Sequence, residues 1–179
     1  MKPTIVGASC CLVVLLTAPH LTSAQSSDFV GLKSAREFVQ GFYAWYVPIA
    51  SGDTKLTPSD IALNKRRSAF SDELFQRLKE DSNAQSHCNE IVGIDFDPFL
   101  NGQDVAQRYE IGEIKWDGRT YRANVYGIWY GVKDKQSDVV PEFVQSKGRW
   151  YFVNFHYPDI GTDLLAILAI PPSPCTVPS

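Results

Sequence analysis

The chain is poor in the residues and patterns that announce chemistry. Histidine occurs three times and cysteine four times in 179 residues. No C-x-x-C pair is present, and His87 beside Cys88 does not make the four-ligand set of a structural zinc site. There is no G-x-S-x-G elbow, no H-E-x-x-H helix and no glycine-rich phosphate loop, so the common hydrolase, metalloprotease and nucleotide-binding signatures are excluded. No metal and no cofactor is expected. Basic residues are also short, with 17 Lys and Arg against 20 Asp and Glu. Phosphate backbones require a basic face, so nucleic acid is not an expected partner. The apolar run at 5–17 spans about 13 residues, short of the roughly 20 that cross a bilayer as a helix.

That short run, with Lys2 before it and Thr22 and Ala24 after it, has the three parts of a secretory leader cut ahead of Gln25. Residues 1–24 are therefore expected to be removed, leaving 25–179 as one domain, periplasmic or secreted, with no stable membrane span. Cys10 and Cys11 lie inside the run rather than at its end, so no lipidated cysteine is expected. Cys88 and Cys175 survive cleavage, and in an oxidising compartment the simplest reading is one disulfide. It would close a long loop, worth about 4 kcal/mol in the chain-entropy picture.

Ser34 and Glu37 read as a capping box, followed by Phe38, Phe42, Trp45 and Ile49 on one helix face, with Pro48 near its end. Thr57 and Pro58 open a second helix, and Ser71 with Asp72 and Glu73 a third. The remainder reads as strands: 105–116 with a bulge at Gly112, a turn at Asp117–Gly118, then 120–132, 139–145 and 150–157. Pro141 suits an edge or a strand start. A short helix capped by Thr162 follows. The expected fold is α+β, with N-terminal helices packed on a curved four-stranded antiparallel sheet and a short C-terminal helix.

Between helices and strands stands the densest cluster of unusual residues: Asp95, Asp97, Pro98 and Phe99, then Gly102, Gln103 and Asp104. The EF-hand pattern fails here, because Phe99 stands where a calcium ligand belongs and no closing Glu follows. The simpler reading is a loop whose Asp side chains accept from backbone amides while its Phe residues plug the core. Together with the aromatic helix 38–46, the Ser71-x-x-Leu74 helix start, Trp150, Tyr157 and Leu164-Leu165, this segment resembles an exported bacterial family catalogued as a domain of unknown function, number 3828. The resemblance implies a fold like nuclear transport factor 2 or cystatin, with a curved sheet wrapping a long helix, and a periplasmic or envelope setting. It implies no activity, and the membrane anchoring of lipoprotein relatives does not carry over.

Three functions fit these residues. The first is non-catalytic binding of an envelope partner protein or a small ligand, with Tyr43, Tyr126, Trp129, His156 and Tyr157 as candidate pocket residues. The second is a hydrolase or isomerase using Asp95, Asp97 or His156, the last with Tyr157 and Asp159 close by as an acid–base group. The third is a secreted inhibitor or immunity-type protein, which requires an exposed apolar or acidic patch. Export and the disulfide have one direct check. The mass of protein recovered from the periplasm of an expressing bacterium is expected to begin at Gln25 and to rise by two hydrogens on reduction. An intact leader, or a mass unchanged by reduction, overturns the corresponding expectation.

Overall fold

The computed structural model describes residues 23–88 and 92–171. The leader as far as residue 22, and Cys175 with the end of the chain, lie outside them. Cys88 follows the third helix, its amide donating to the Gln85 carbonyl at 3.2 Å. Helix α1 spans Ser23–Ala50, α2 Pro58–Lys65, and α3 Asp72–Ser86, with a 3₁₀ turn Arg67–Ala69 before α3. The strands are β1 (Arg108–Trp116), β2 (Tyr121–Trp129), β3 (Val132–Lys133), β4 (Val140–Ser146), β5 (Arg149–Tyr157) and β6 (Thr162–Asp163), and α4 is Leu164–Leu168. All strand pairs are antiparallel, in the order β1-β2-β4-β5-β6, with β3 paired to β2 beside β4. The helices-then-sheet order is as the sequence implies; the sheet has six strands rather than four, because two two-residue strands join the meander.

Local signals placed the short helices well. Thr57 Oγ1 accepts from the Asp60 amide and Ser71 Oγ from the Leu74 amide, each at 3.2 Å, which satisfies first-turn donors that have no partner inside the helix. Helix α4 starts one residue later than expected, with Asp163 rather than Thr162 as its cap, accepting from the Ala166 amide at 3.0 Å. Helix α1 differs more. Ser34 lies inside it, and its hydroxyl donates to the Gly31 carbonyl at 3.0 Å instead of capping. The buried face is Ala35, Val39, Phe42, Tyr43 and Tyr46, while Phe38 and Trp45 are only half-buried. The core-facing stripe is thus rotated from the one read at Phe38, Phe42, Trp45 and Ile49, because where the sheet sits decides which side of an all-round aromatic helix is covered.

The β1 bulge falls between Ile111 and Ile114. A Cβ on Gly112 would lie 2.6 Å from the Tyr126 ring, so only glycine allows the approach. A bulge leaves ladder carbonyls unpaired; here the Arg36 guanidinium donates to the carbonyls of Ile111 and Gly112, both at 2.7 Å. The strand expected over 120–132 is broken at Tyr130–Gly131, where both φ angles are positive (52° and 82°) and the chain doubles back into β3. That is a two-residue hairpin loop of the kind that matches strand twist. Pro141, which has no amide to donate, sits where the β2–β4 ladder lapses between the Arg122–Glu142 pair and the Val125–Val139 bridge.

The core lies between α1 and the sheet and is mostly aromatic. The Phe42 ring meets Phe70, Phe99 and Phe152 edge-on at 5.9, 5.5 and 4.9 Å and stacks on Tyr46 at 5.4 Å. Arg36→Ala is expected to lower the unfolding free energy by about 1 kcal/mol, with faster amide exchange confined to the β1 bulge. Unchanged exchange there would show that the two bulge carbonyls do not depend on Arg36.

Candidate functional site

The loop 95–104 is held by three tyrosine hydroxyls that come from distant parts of the chain. Tyr43 donates to the Phe99 carbonyl at 2.9 Å, Tyr157 to the Pro98 carbonyl at 2.9 Å, and Tyr46 to Asp97 Oδ2 at 2.6 Å. Tyr43 and Tyr46 stand on α1 and Tyr157 ends β5, so helix and sheet grip the loop from both sides. The other Asp97 oxygen accepts from the amides of Phe99 at 2.9 Å and Leu100 at 3.2 Å. Its amide donates to Gly102 and its carbonyl accepts from Asn101. Phe99 and Leu100 are buried beneath. Gln103 Nε2 closes the loop onto the Asp95 carbonyl at 3.1 Å.

Two clefts flank this loop, which is their shared wall. The larger, about 830 Å³, opens between the α1–α2 connection, α3 and residues 94–98. The smaller, about 450 Å³, opens between residues 100–104 and the 134–138 turn, with Trp129 and Tyr109 behind. Gly102 and Gln103 line both. Asn101, at φ 57°, ties the wall to the smaller cleft: its side-chain amide donates to the Asp138 carbonyl at 2.9 Å and to Asp159 Oδ1 at 2.7 Å.

Both clefts are acidic, the larger being lined by Asp53, Asp60, Asp81, Asp95 and Asp97 with Lys55 as its cation. Asp104, Asp134, Asp138 and Asp159 face the smaller one, and Lys135 is the one cation lining it. Asp138 Oδ2 accepts from the Gly127 amide at 2.8 Å, an approach open because a Cβ on Gly127 would lie 2.6 Å from that oxygen. Trp129 Nε1 donates to Asp134 at 3.0 Å. Burial, opposed by the Gly127 amide and assisted by the carboxylates of Asp134 and Asp159, pushes Asp138 up to about 6. Burial likewise pushes Asp97 up to about 6, against the three donors that favour its charged form. Burial, together with the Asp97 carboxylate and, for Tyr43 and Tyr46, neighbouring phenols, holds Tyr43, Tyr46 and Tyr157 protonated far above the usual phenol range.

Of the five candidate pocket residues, the structure brings Trp129 alone to a cleft. Tyr43 and Tyr157 are buried loop anchors. Tyr126 covers Gly112, with the Lys133 ammonium 4.2 Å from its ring centroid. His156 Nε2 lies 2.5 Å from Glu142 Oε2, and neither residue lines either cleft. Burial of Glu142 works against its charge, but the Thr120 hydroxyl, His156 and Arg122 hold its carboxyl below the ordinary range. His156, Tyr157 and Asp159 therefore point to Glu142, Pro98 and Asn101 respectively, and do not converge as the acid–base group considered from sequence. Among the loop residues, Asp95, Asp97 and Pro98 line the larger cleft and Asp104 the smaller. Tyr46, Asp134 and Asp138 are additional members that no local pattern marks. Among the described residues no group of three or more His, Cys, Asp or Glu is placed to hold a metal ion, and no helix is long and apolar enough to cross a membrane. The chain matches no family model, no curated protein and no solved structure.

Carboxyls with raised native pKa values keep protons that the unfolded chain has already released, so their contribution to stability is complete below about pH 4 and lost as pH rises through about 6. Glu142 and Asp163 run the other way: their lowered values contribute stability above the ordinary carboxyl range that is lost on acidification. Unfolding free energy from denaturant titration is expected to peak at about pH 5 and to fall toward pH 7. Combining Asp97→Asn with Asp138→Asn should diminish that fall, to which Asp81 is a further contributor, even if the variant is less stable throughout; an undiminished fall would exclude these two groups as its source. Tyr46→Phe takes one donor from a buried carboxylate, at a cost of about 2 kcal/mol, and should raise the Asp97 pKa further in a carboxyl NMR titration.

Proposed function

We propose that this chain is an exported, non-catalytic binding domain of the cell envelope, and that its ligand is a small amphipathic molecule seated in the larger cleft. The observation that carries this reading is the cleft's make-up. Its 830 Å³ falls in the range of roughly 300–1,000 Å³ typical of small-molecule sites. Leu56, Phe96 and Val105 offer apolar surface, Thr57, Ser59 and Gln103 supply neutral hydrogen-bonding groups, and Asp53, Asp60, Asp81, Asp95 and Asp97 make the lining acidic. Export rests on the leader read at 1–24. Helices collected before an antiparallel sheet, with a long helix across it, support the likeness to nuclear transport factor 2 and cystatin folds, in which such a sheet frames a cavity.

Binding is favoured over catalysis because two of the three candidate reacting groups, Asp97 and His156, are already committed. The Asp97 oxygens answer two amides and a phenol, and His156 answers Glu142 away from both clefts. A general acid or base needs a free proton-transfer path to a substrate atom, and no such group is left pointing into the larger cleft from these two residues.

The test is native mass spectrometry of the protein taken from the periplasm, followed by thermal-shift screening against small amphiphiles with hydroxyl and amide groups. A retained or stabilising molecule is expected. Its effect should be lost in Leu56→Asp, which charges the cleft mouth, and in Ser59→Trp, which narrows it. A ligand that binds both variants as well as the wild type lies elsewhere, and turnover of the bound molecule would replace binding by catalysis.

A further inference from the structure

The hairpin loop at Tyr130–Gly131 carries side chains that serve no part of this chain's own core. Tyr130 is 91 % exposed and Val132 69 % exposed, the two most exposed of the large apolar side chains around the sheet. A two-residue turn of this hand is most cheaply made by Asn-Gly or Asp-Gly; here a tyrosine takes the first position at φ 52°. Val132 pairs in register with Trp129, and directly opposed residues in a ladder project to the same side. Trp129 lines the smaller cleft, so the apolar tip continues that cleft's indole wall outward.

Charge gives this surface a sign. The residues 129 and 134–138 on either side of the hairpin line the cleft, where Asp104, Asp134, Asp138 and Asp159 face one cation, Lys135. The hairpin's other cation does not offset them: Lys133 Nζ is held 2.6 Å from Glu110 Oε1, with Tyr126 beneath it. An acidic recess walled by an indole suits an ammonium or guanidinium head, which gains from the carboxylates and from the ring face together. An adjoining exposed apolar finger suits the aliphatic neighbour of that head on a longer chain.

We propose that the 130–132 hairpin tip and the acidic cleft beside it form a docking surface for a cationic segment of a partner protein, with a Lys or Arg side chain entering the cleft and a flanking apolar residue packing on Tyr130 and Val132. This surface is separate from the larger cleft, and neither Tyr130 nor Val132 lines it.

The test uses three fluorescein-labelled peptides, of alternating Lys-Leu, Lys-Ser and Glu-Leu, in fluorescence anisotropy titrations at low and physiological salt. Two double variants accompany them: Tyr130→Ser with Val132→Ser, and Asp134→Asn with Asp159→Asn. The asparagines keep an acceptor for the Trp129 indole and the Asn101 amide, and circular dichroism checks that each variant is folded. The wild type is expected to bind the Lys-Leu peptide and not the Glu-Leu one. Removing the tip should weaken Lys-Leu binding about tenfold, down to the level of Lys-Ser. The asparagine pair should weaken it by about as much and flatten its salt dependence. Leu56→Asp, which alters the other cleft, should leave it unchanged. The proposal is overturned if the Lys-Leu peptide does not bind, if it binds both double variants like the wild type, or if Lys-Ser binds as tightly, since charge alone would then account for the contact.

Discussion

Three buried phenols donating into one short loop are the constraint on which the rest of the site depends. A buried Tyr hydroxyl must find an acceptor, and a buried loop must find donors for its carbonyls. Tyr43, Tyr46 and Tyr157 meet both needs at once, through the Phe99 carbonyl, Asp97 and the Pro98 carbonyl. Because two of these tyrosines stand on α1 and the third ends β5, the same bonds fix the helix against the sheet. Each is worth only about 1 kcal/mol net. Breaking one, however, leaves a polar atom stranded among Phe42, Phe99 and Phe155, where desolvation is charged in full.

Asp97 shows the same balance in its electrostatics. Two amides and a phenol are enough to satisfy a carboxylate's geometry, but burial still pushes its pKa up to about 6. Asp138 reaches a similar value by a different route, with less burial and two carboxylates for neighbours. Burial is the largest cause for both acids, and Asp138 adds the repulsion of its carboxylate neighbours. The first is therefore a property of the loop's packing, and the second of the open cleft, where a bound cation would relieve it.

Much of the fold could be read locally. Thr57 and Ser71 cap their helices because a cap is decided within four residues, and the bulge at Gly112 shows as a change in apolar parity. Helix α1 was harder: it is apolar on more than one side, so periodicity alone could not tell that Tyr43 and Tyr46 are buried while Trp45 packs at the core's margin. The turn at Tyr130 was hidden because tyrosine carries none of the usual marks of a left-handed turn residue. The loop 95–104 stood out in the sequence, and its Asp97 side chain does accept from backbone amides. Its partners did not stand out, because Tyr46 and Asp97 lie 51 residues apart and Asn101 and Asp159 lie 58 apart, and no spacing rule links residues at such distances.

A loop whose polar atoms are spent on holding itself makes a firm wall and a poor reagent. Toward α2 and α3 the wall presents Asp95, Phe96, Asp97, Pro98 and the side of Gln103. Toward β2 it presents Asn101 and Asp104, and the sheet answers with Asp134, Asp138 and Trp129. The backbone that makes both faces is one short stretch, pinned by Asn101 on the second side and by three tyrosines from behind. The two sides come from successive stretches of that backbone, 94–98 facing the larger cleft and 100–104 the smaller. One rigid loop therefore walls two acidic clefts, which differ in that the larger adds Leu56, Phe96 and Val105 and the smaller an indole.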